Sequence, residues 1–185
     1  MFKVGMSTFF RKKMSVMLIF VLLLFASSPL ETISAAIANS ASTNMNINAS
    51  VVASCSFTQV NTLNFGAYDP TGPNNHNPLD TATTIQLSCT KNTNATIKMN
   101  TGLNSSHASG TSRALYTSIN DDYLNYEIYT DAGRTTVWNE STGTYNYIAT
   151  SAAPATINVY GRIPGNQHGL KGGTYTDTVT ITASF

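Results

Sequence analysis

The 185-residue chain carries ten Lys+Arg against nine Asp+Glu, so charged residues make up only 10% of it. So few charges, with no basic cluster beyond the first thirteen residues, argue against a nucleic-acid partner or an anionic membrane surface. The abundance of Thr, Ser, Asn, Gly and Tyr is what an exposed all-β protein shows.

The N-terminal residues set the compartment. Lys3, Arg11, Lys12 and Lys13 form a basic region, and Val16 to Ala26 is an unbroken apolar run. Small residues follow at Ser34-Ala35-Ala36 and Ala36-Ile37-Ala38. This is the pattern of a secretory signal peptide over residues 1–38, cut after Ala36 or Ala38. The apolar run is about half of the ~20 residues a membrane span requires. The leader holds four of the basic residues and one acidic residue, Glu31, which leaves six and eight and a net charge of −2.

Next comes the most periodic stretch in the chain. From Ala41 to Phe57 the odd positions read Ala41, Thr43, Met45, Ile47, Ala49, Val51, Ala53, Cys55 and Phe57, with Ser and Asn between them except at Val52. A period of two predicts a β-strand with one buried face. Kept straight from Asn39 to Phe57 it would span roughly 55 Å at about 3.3 Å per residue. A domain of this size is only about 35–40 Å across. One domain cannot use the whole strand, so part of it is meant for another molecule. The segment 39–47 is expected to be donated, with the domain proper over 48–185 and its own first strand from about Asn48 to Phe57.

Both cysteines, Cys55 and Cys89, lie in the exported part. In an oxidising compartment two cysteines in one small domain pair most simply as a single disulfide. A metal site would need more ligands nearby, yet His76, His107 and His168 stand apart from each other and from both cysteines. Nothing around Ser54-Cys55-Ser56 marks an activated thiol.

Further along, short alternating runs separate turn signals. Strand-like runs fall at Thr62–Phe65, Thr84–Thr90, Ala95–Asn100, Leu124–Tyr129, Thr135–Trp138, Thr144–Ala149, Ala155–Ile163 and Thr174–Phe185. Loops are expected at 69–75, 101–112, 131–134 and 165–173 by their Gly, Pro, Asn and Ser content. No segment after the leader sustains a helical period. Many short strands with such loops predict an all-β sandwich of Ig-like topology.

Catalytic patterns are missing: there is no Gly-rich phosphate loop, no His-rich metal motif and no Gly-x-Ser-x-Gly elbow. Asp121-Asp122 are adjacent and read as a solvated turn, not an acid–base pair. Neither an enzyme nor a cofactor is expected. A secreted binding module remains an alternative, using Tyr123, Tyr129, Trp138, Tyr145 and Tyr147 as an aromatic platform.

Several pieces together carry a family resemblance. They are the alternating lead into Val51-Val52-Ala53-Ser54-Cys55, then Leu63-Asn64-Phe65-Gly66, then Gln86-Leu87-Ser88-Cys89. Leu124 to Asp131, Arg134 to Trp138, Val159 to Pro164 and the terminal Gly173 to Phe185 follow in order. In these the chain resembles the spore coat protein U domain family, which includes pilin subunits of archaic chaperone–usher pili. The resemblance implies an incomplete Ig-like β-sandwich, completed by a donor strand from a neighbouring subunit. It implies a periplasmic chaperone, an outer-membrane usher and identical or homologous pilin subunits as partners, and a cell-surface pilus as destination. Met45 and Ile47 would then be the main donor anchors, with Ala41, Thr43 and Ala49 in shallower sites. A spore-coat-like matrix protein is the other role the family implies.

Overall fold

The computed structural model describes residues 39–185, so the expected leader lies outside the described residues. The chain divides into two units, Met1–Ile47 and Asn48–Phe185. Within the first, residues 39–47 carry neither helix nor strand and are exposed throughout.

The second unit is all-β. Its strands are β1 (Cys55–Val60), β2 (Leu79–Cys89), β3 (Asn94–Met99), β4 (Arg113–Thr117), β5 (Asp122–Tyr129), β6 (Tyr145–Ile148), β7 (Ala155–Ile163) and β8 (Ile181–Ser184). Alternation explains most of them. On β2, Ile85, Leu87 and Cys89 are buried; on β7, Ile157, Val159, Gly161 and Ile163 are; on β3, Ala95, Ile97 and Met99. Each large apolar side chain so buried contributes about 1.5–3 kcal/mol. Thr, Asn and Ser occupy many of the opposite positions, as on a face turned to water.

Two sheets enclose this core. One has the order β1-β2-β7-β5-β4 and the other β6-β3-β8, and every pairing is antiparallel. The run β1-β2-β7-β5 follows the A-B-E-D order of an immunoglobulin-type sheet, while β3 and β8 take the places of C and F. The strand called G in that scheme would lie on the outer side of β8. Among the described residues nothing occupies that side. Two elements depart from the scheme: β4 extends the first sheet beyond the D equivalent, and β6 lies between the D and E equivalents in sequence, yet pairs with β3 at the far edge of the second sheet.

Several strand boundaries differ from the expectations. Thr135–Trp138 is no strand and makes only an isolated bridge, Val137 with Tyr129, and β2 begins at Leu79, ahead of the expected Thr84. The first strand begins at Cys55 and not near Asn48, because β2 ends at Cys89 and the chain turns at 90–93; only Thr90 still meets the earlier residues, its amide donating to the Ser54 carbonyl at 2.9 Å. Thr62–Phe65 is not a strand: after Asn61 donates to the Thr84 carbonyl (3.2 Å) the chain leaves β2 and finds no ladder. The terminal run is broken into an isolated bridge between Tyr116 and Thr176 and the short β8, because it passes from β4 of one sheet to β3 of the other.

Cys55 and Cys89 are joined by a disulfide, and they are also the first rung of the β1–β2 ladder. A bridge across a separation of 34 residues stabilises by about 3.5–4 kcal/mol in the chain-entropy account. Reduction of a strand-complemented subunit is therefore expected to lower its unfolding free energy by about that amount, seen as a lower urea midpoint, without changing the strand content seen by circular dichroism. Equal midpoints with and without reductant would remove the bridge from the stability of the fold.

Candidate functional site

The vacant side of β8 opens into a groove. Residues 61–68, which leave β2, form one wall, and residues 170–181 form the other. Two clefts of about 660 and 270 Å³ lie end to end between the walls and share Thr62, Leu63, Phe65, Leu115 and Asp177. Their floor is apolar: Leu124, Tyr126 and Ile128 from β5, Ile85 from β2, and Val159 and Ile163 from β7. Along the second wall Tyr175, Val179, Ile181 and Ala183 pack on the core from one side and remain only half-buried.

The first wall is held by a missing side chain. A Cβ on Gly161 would lie 2.8 Å from both Leu63 Cδ2 and Phe65 Cζ, so these two side chains occupy the space that β7 leaves free there. Phe65 then meets the Tyr126 ring edge-on at 6.0 Å, a favoured geometry for aromatic pairs. Tyr68 ends the wall and donates its hydroxyl to the Pro164 carbonyl at 2.9 Å.

Asp177 is the one acidic group in the groove. Its Oδ2 accepts from the Tyr126 hydroxyl at 2.7 Å, and its Oδ1 from the Leu103 amide at 2.9 Å and Asn104 Nδ2 at 3.0 Å. Burial, then the bond to Asp177, pushes the Tyr126 phenol up. Gly102 makes room for this carboxylate: its φ is +77°, and a Cβ there would fall 2.0 Å from Asp177 Oδ2.

A second carboxylate ties down the end of the groove. Asp122 Oδ2 accepts from the Lys171 amide and from the Tyr175 hydroxyl, each at 2.8 Å. Burial, then the bond to Asp122, pushes the Tyr175 phenol up to about 12. The Lys171 amide is the main reason that the Asp122 carboxyl is held below its ordinary value; partial burial opposes it, and the Tyr175 hydroxyl and the Tyr123 amide add to the lowering. With a folded pKa below the unfolded one, the stabilisation is complete above about pH 4 and is lost as pH falls through the lowered folded value. The Lys171 amide resonance in a strand-complemented subunit is accordingly expected to titrate only below about pH 4. The titration disappears in Asp122→Asn; an unchanged titration in that variant would assign it to another group.

The residues singled out in the sequence are placed as follows. Cys55 and Cys89 form the bridge at the start of β1. Ala41, Thr43, Met45 and Ile47 are exposed, Met45 at 80% and Ile47 at 82%. The exposure continues past them, to 86% at Val51 and 76% at Val52. The aromatic platform does not exist as expected. Trp138 is fully buried and donates Nε1 to the Ile97 carbonyl at 2.9 Å, while Tyr145 and Tyr147 pack against the core. Tryptophan has the largest area to bury, so a lone Trp in a small sandwich goes inside.

Sequence reasoning missed Arg113 and Glu127, an ion pair in the interior. Arg113 is fully buried and pairs with Glu127 through Nη1. It also donates to the Asn100 carbonyl from Nη2 at 2.7 Å and from Nε at 3.0 Å, and to the Trp138 carbonyl at 2.7 Å. Glu127 accepts from the Ser112 amide at 2.8 Å and from its hydroxyl. The loop ahead of β4 meets the pair through Ser112, while its Ser105–His107 turn packs on β4 and His107 stacks on Tyr123 at 4.0 Å. Adjacent Arg113 and Ala114 are therefore both buried, and no alternation announces the strand.

Two packed antiparallel sheets with the last edge position open define an incomplete Ig-like domain. The chain belongs to the spore coat protein U domain family, whose family model matches residues 41–182. It is 34% identical over 168 residues to "Protein U" of Myxococcus xanthus, covering 86% of this chain and 93% of that protein. Among solved structures it is similar to a chain of the CsuC-CsuE chaperone-tip adhesion subunit pre-assembly complex from archaic chaperone-usher Csu pili of Acinetobacter baumannii. That similarity has a TM-score of 0.51 at 20% identity and covers 73% of this chain and 40% of that one, so it speaks for the fold.

Proposed function

We propose that this protein is a structural subunit of a cell-surface pilus, exported through the periplasm and polymerised by donor-strand complementation. The segment 39–47 of one copy fills the groove of the next, with Met45 and Ile47 as anchors and Ala41 and Thr43 in shallower positions. Before assembly a periplasmic chaperone covers the same groove, and an outer-membrane usher exchanges it for the incoming copy. Adhesion of cells and biofilm formation are what such a fibre serves.

One observation carries this reading: an apolar groove lies beside β8 where the sandwich has no strand, and the chain also holds an exposed, alternating segment. An open sheet edge over an apolar floor exposes unpaired amides and carbonyls and is a site of aggregation unless covered. Main-chain pairing supplies affinity in such strand addition, and alternate side chains in pockets supply selectivity. The exported chain expressed without a chaperone is therefore expected to aggregate or self-associate. A peptide of residues 39–47, added during refolding of a chain lacking that segment, is expected to yield soluble monomer. A chain lacking 39–47 that folds reversibly as a stable monomer without peptide would mean a complete domain and would end the proposal.

A further inference from the structure

We propose that the donated segment extends through Val51 and binds in a single register, with Ala49 opposite Asp177 of the next copy. This rests on the polymerisation reading above and specifies its site. The inward face of the terminal run offers Tyr175, Asp177, Val179, Ile181 and Ala183, followed by Phe185. Five of these six positions are apolar or aromatic, and one is a carboxylate. The lead segment offers six matching positions at the same spacing: Ala41, Thr43, Met45, Ile47, Ala49 and Val51.

A strand added to an antiparallel sandwich on the free side of β8 runs antiparallel to β8. With Ala49 facing Asp177, Ile47 faces Val179, Met45 faces Ile181 and Val51 faces Tyr175. The carboxylate of Asp177 is already bound by Tyr126, Leu103 and Asn104. Alanine, the smallest side chain of the donor's second half, leaves those bonds in place. A slip of two residues in either direction sets Ile47 or Val51 against the carboxylate, and a slip of four in one direction sets Met45 there. The opposite slip of four would need Ala53 in the neighbour's groove. Its own subunit prevents that, because the Ser54 amide and the Val52 carbonyl are both bonded to Thr90 Oγ1, at 3.1 and 3.2 Å. Among slips of up to four residues only this register therefore keeps large apolar groups off the charge. A slip of six, which sets Thr43 there, would put Ile47 opposite Gly173 and leave Ile181 facing Asn39, and side-chain alternation forbids odd slips. Val51, as exposed as Ile47 in the single subunit, becomes an anchor, and only residues 52–54 separate one groove from the next subunit's disulfide.

The test uses surface polymers made by cells that export the full chain. Met45→Cys is combined in turn with Val179→Cys, Ile181→Cys and Ala183→Cys, and Val51→Cys with Tyr175→Cys. Mild oxidation links directly opposite positions, whereas diagonal neighbours, roughly 7 Å apart, lie beyond disulfide reach. Covalent ladders that survive boiling are expected for Met45 with Ile181 and for Val51 with Tyr175. A ladder with Val179 or Ala183 instead would overturn the register while leaving strand donation intact. A ladder for Met45 with Ile181 but none for Val51 with Tyr175 would exclude Val51. Polymer that links through none of the pairs would overturn strand donation itself. As a second readout without added cysteines, Ala49→Leu is expected to reduce polymer at least tenfold with soluble subunit retained, and Ala53→Leu to leave it unchanged; full polymer from Ala49→Leu would overturn the register.

Discussion

Met45→Asp and Ile47→Asp are each expected to abolish the surface polymer while soluble, disulfide-bonded subunit stays at its normal level. Each removes an anchor worth about 1.5–3 kcal/mol on full burial. Each also sets a carboxylate against an apolar floor, where an unpaired charge costs several kcal/mol more unless it is protonated. Both residues are exposed in the single subunit, so its own core loses nothing. Asn46→Asp carries the same charge on the opposite face and is expected to be mild. The measurement is the ladder of SDS-resistant multimers from cell-surface extracts, beside the amount of periplasmic subunit. Normal ladders for both variants would remove the segment from assembly. Loss of the soluble subunit would place Met45 and Ile47 in the protein's own core instead.

Arg113→Met is expected to destabilise the sandwich by about 3–5 kcal/mol, because it leaves Glu127 buried without its cationic partner. The Asn100 and Trp138 carbonyls lose their donor in the same step. Replacing both members, as Arg113→Met with Glu127→Leu, is expected to recover much of the loss, since apolar groups of similar volume need no partner. Urea titration of a subunit whose groove is filled by an added donor strand measures both. A loss under about 1 kcal/mol for the single change would mean that water reaches the pair. The pair ties β4 and β5 to the end of β3, and so joins one sheet to the other. Glu127 also lies beside Ile128 of the groove floor, so the single change is expected to weaken polymer indirectly, through loss of folded subunit.

How far the chain could be read in advance varied from element to element. β7 matched its expected span because Ile157, Val159 and Ile163 face the core while Thr156 and Asn158 face water. β5 and β3 were legible for the same reason. β4 was not, because a covering loop buries its outer face and removes the contrast on which alternation depends. Trp138, Tyr145 and Tyr147 were misplaced because an aromatic residue reads alike on a binding surface and in a core. Leu63 and Phe65 have the pattern of a strand and form a groove wall. They make no ladder, because past Asn61 the chain draws away from main-chain pairing with β2 and keeps only a side-chain bond, from Thr81 Oγ1 to the Asn64 carbonyl.

The sequence by itself determined the all-β class, the alternating segment ahead of Cys55 and the two cysteines that become one bridge. These are local or compositional properties: a period of two, a hydrophobicity contrast and a count. Only the tertiary structure decided which edge stays open, because the vacancy beside β8 follows from the order in which distant strands pair. It also decided where charge enters the groove. Asp177 is an ordinary polar member of an alternating run until folding sets it between Tyr126 and the amide of Leu103. Gly161 and Gly102 are likewise unremarkable in the chain; close approach across 96 to 98 residues in one case and 75 in the other makes each small residue necessary.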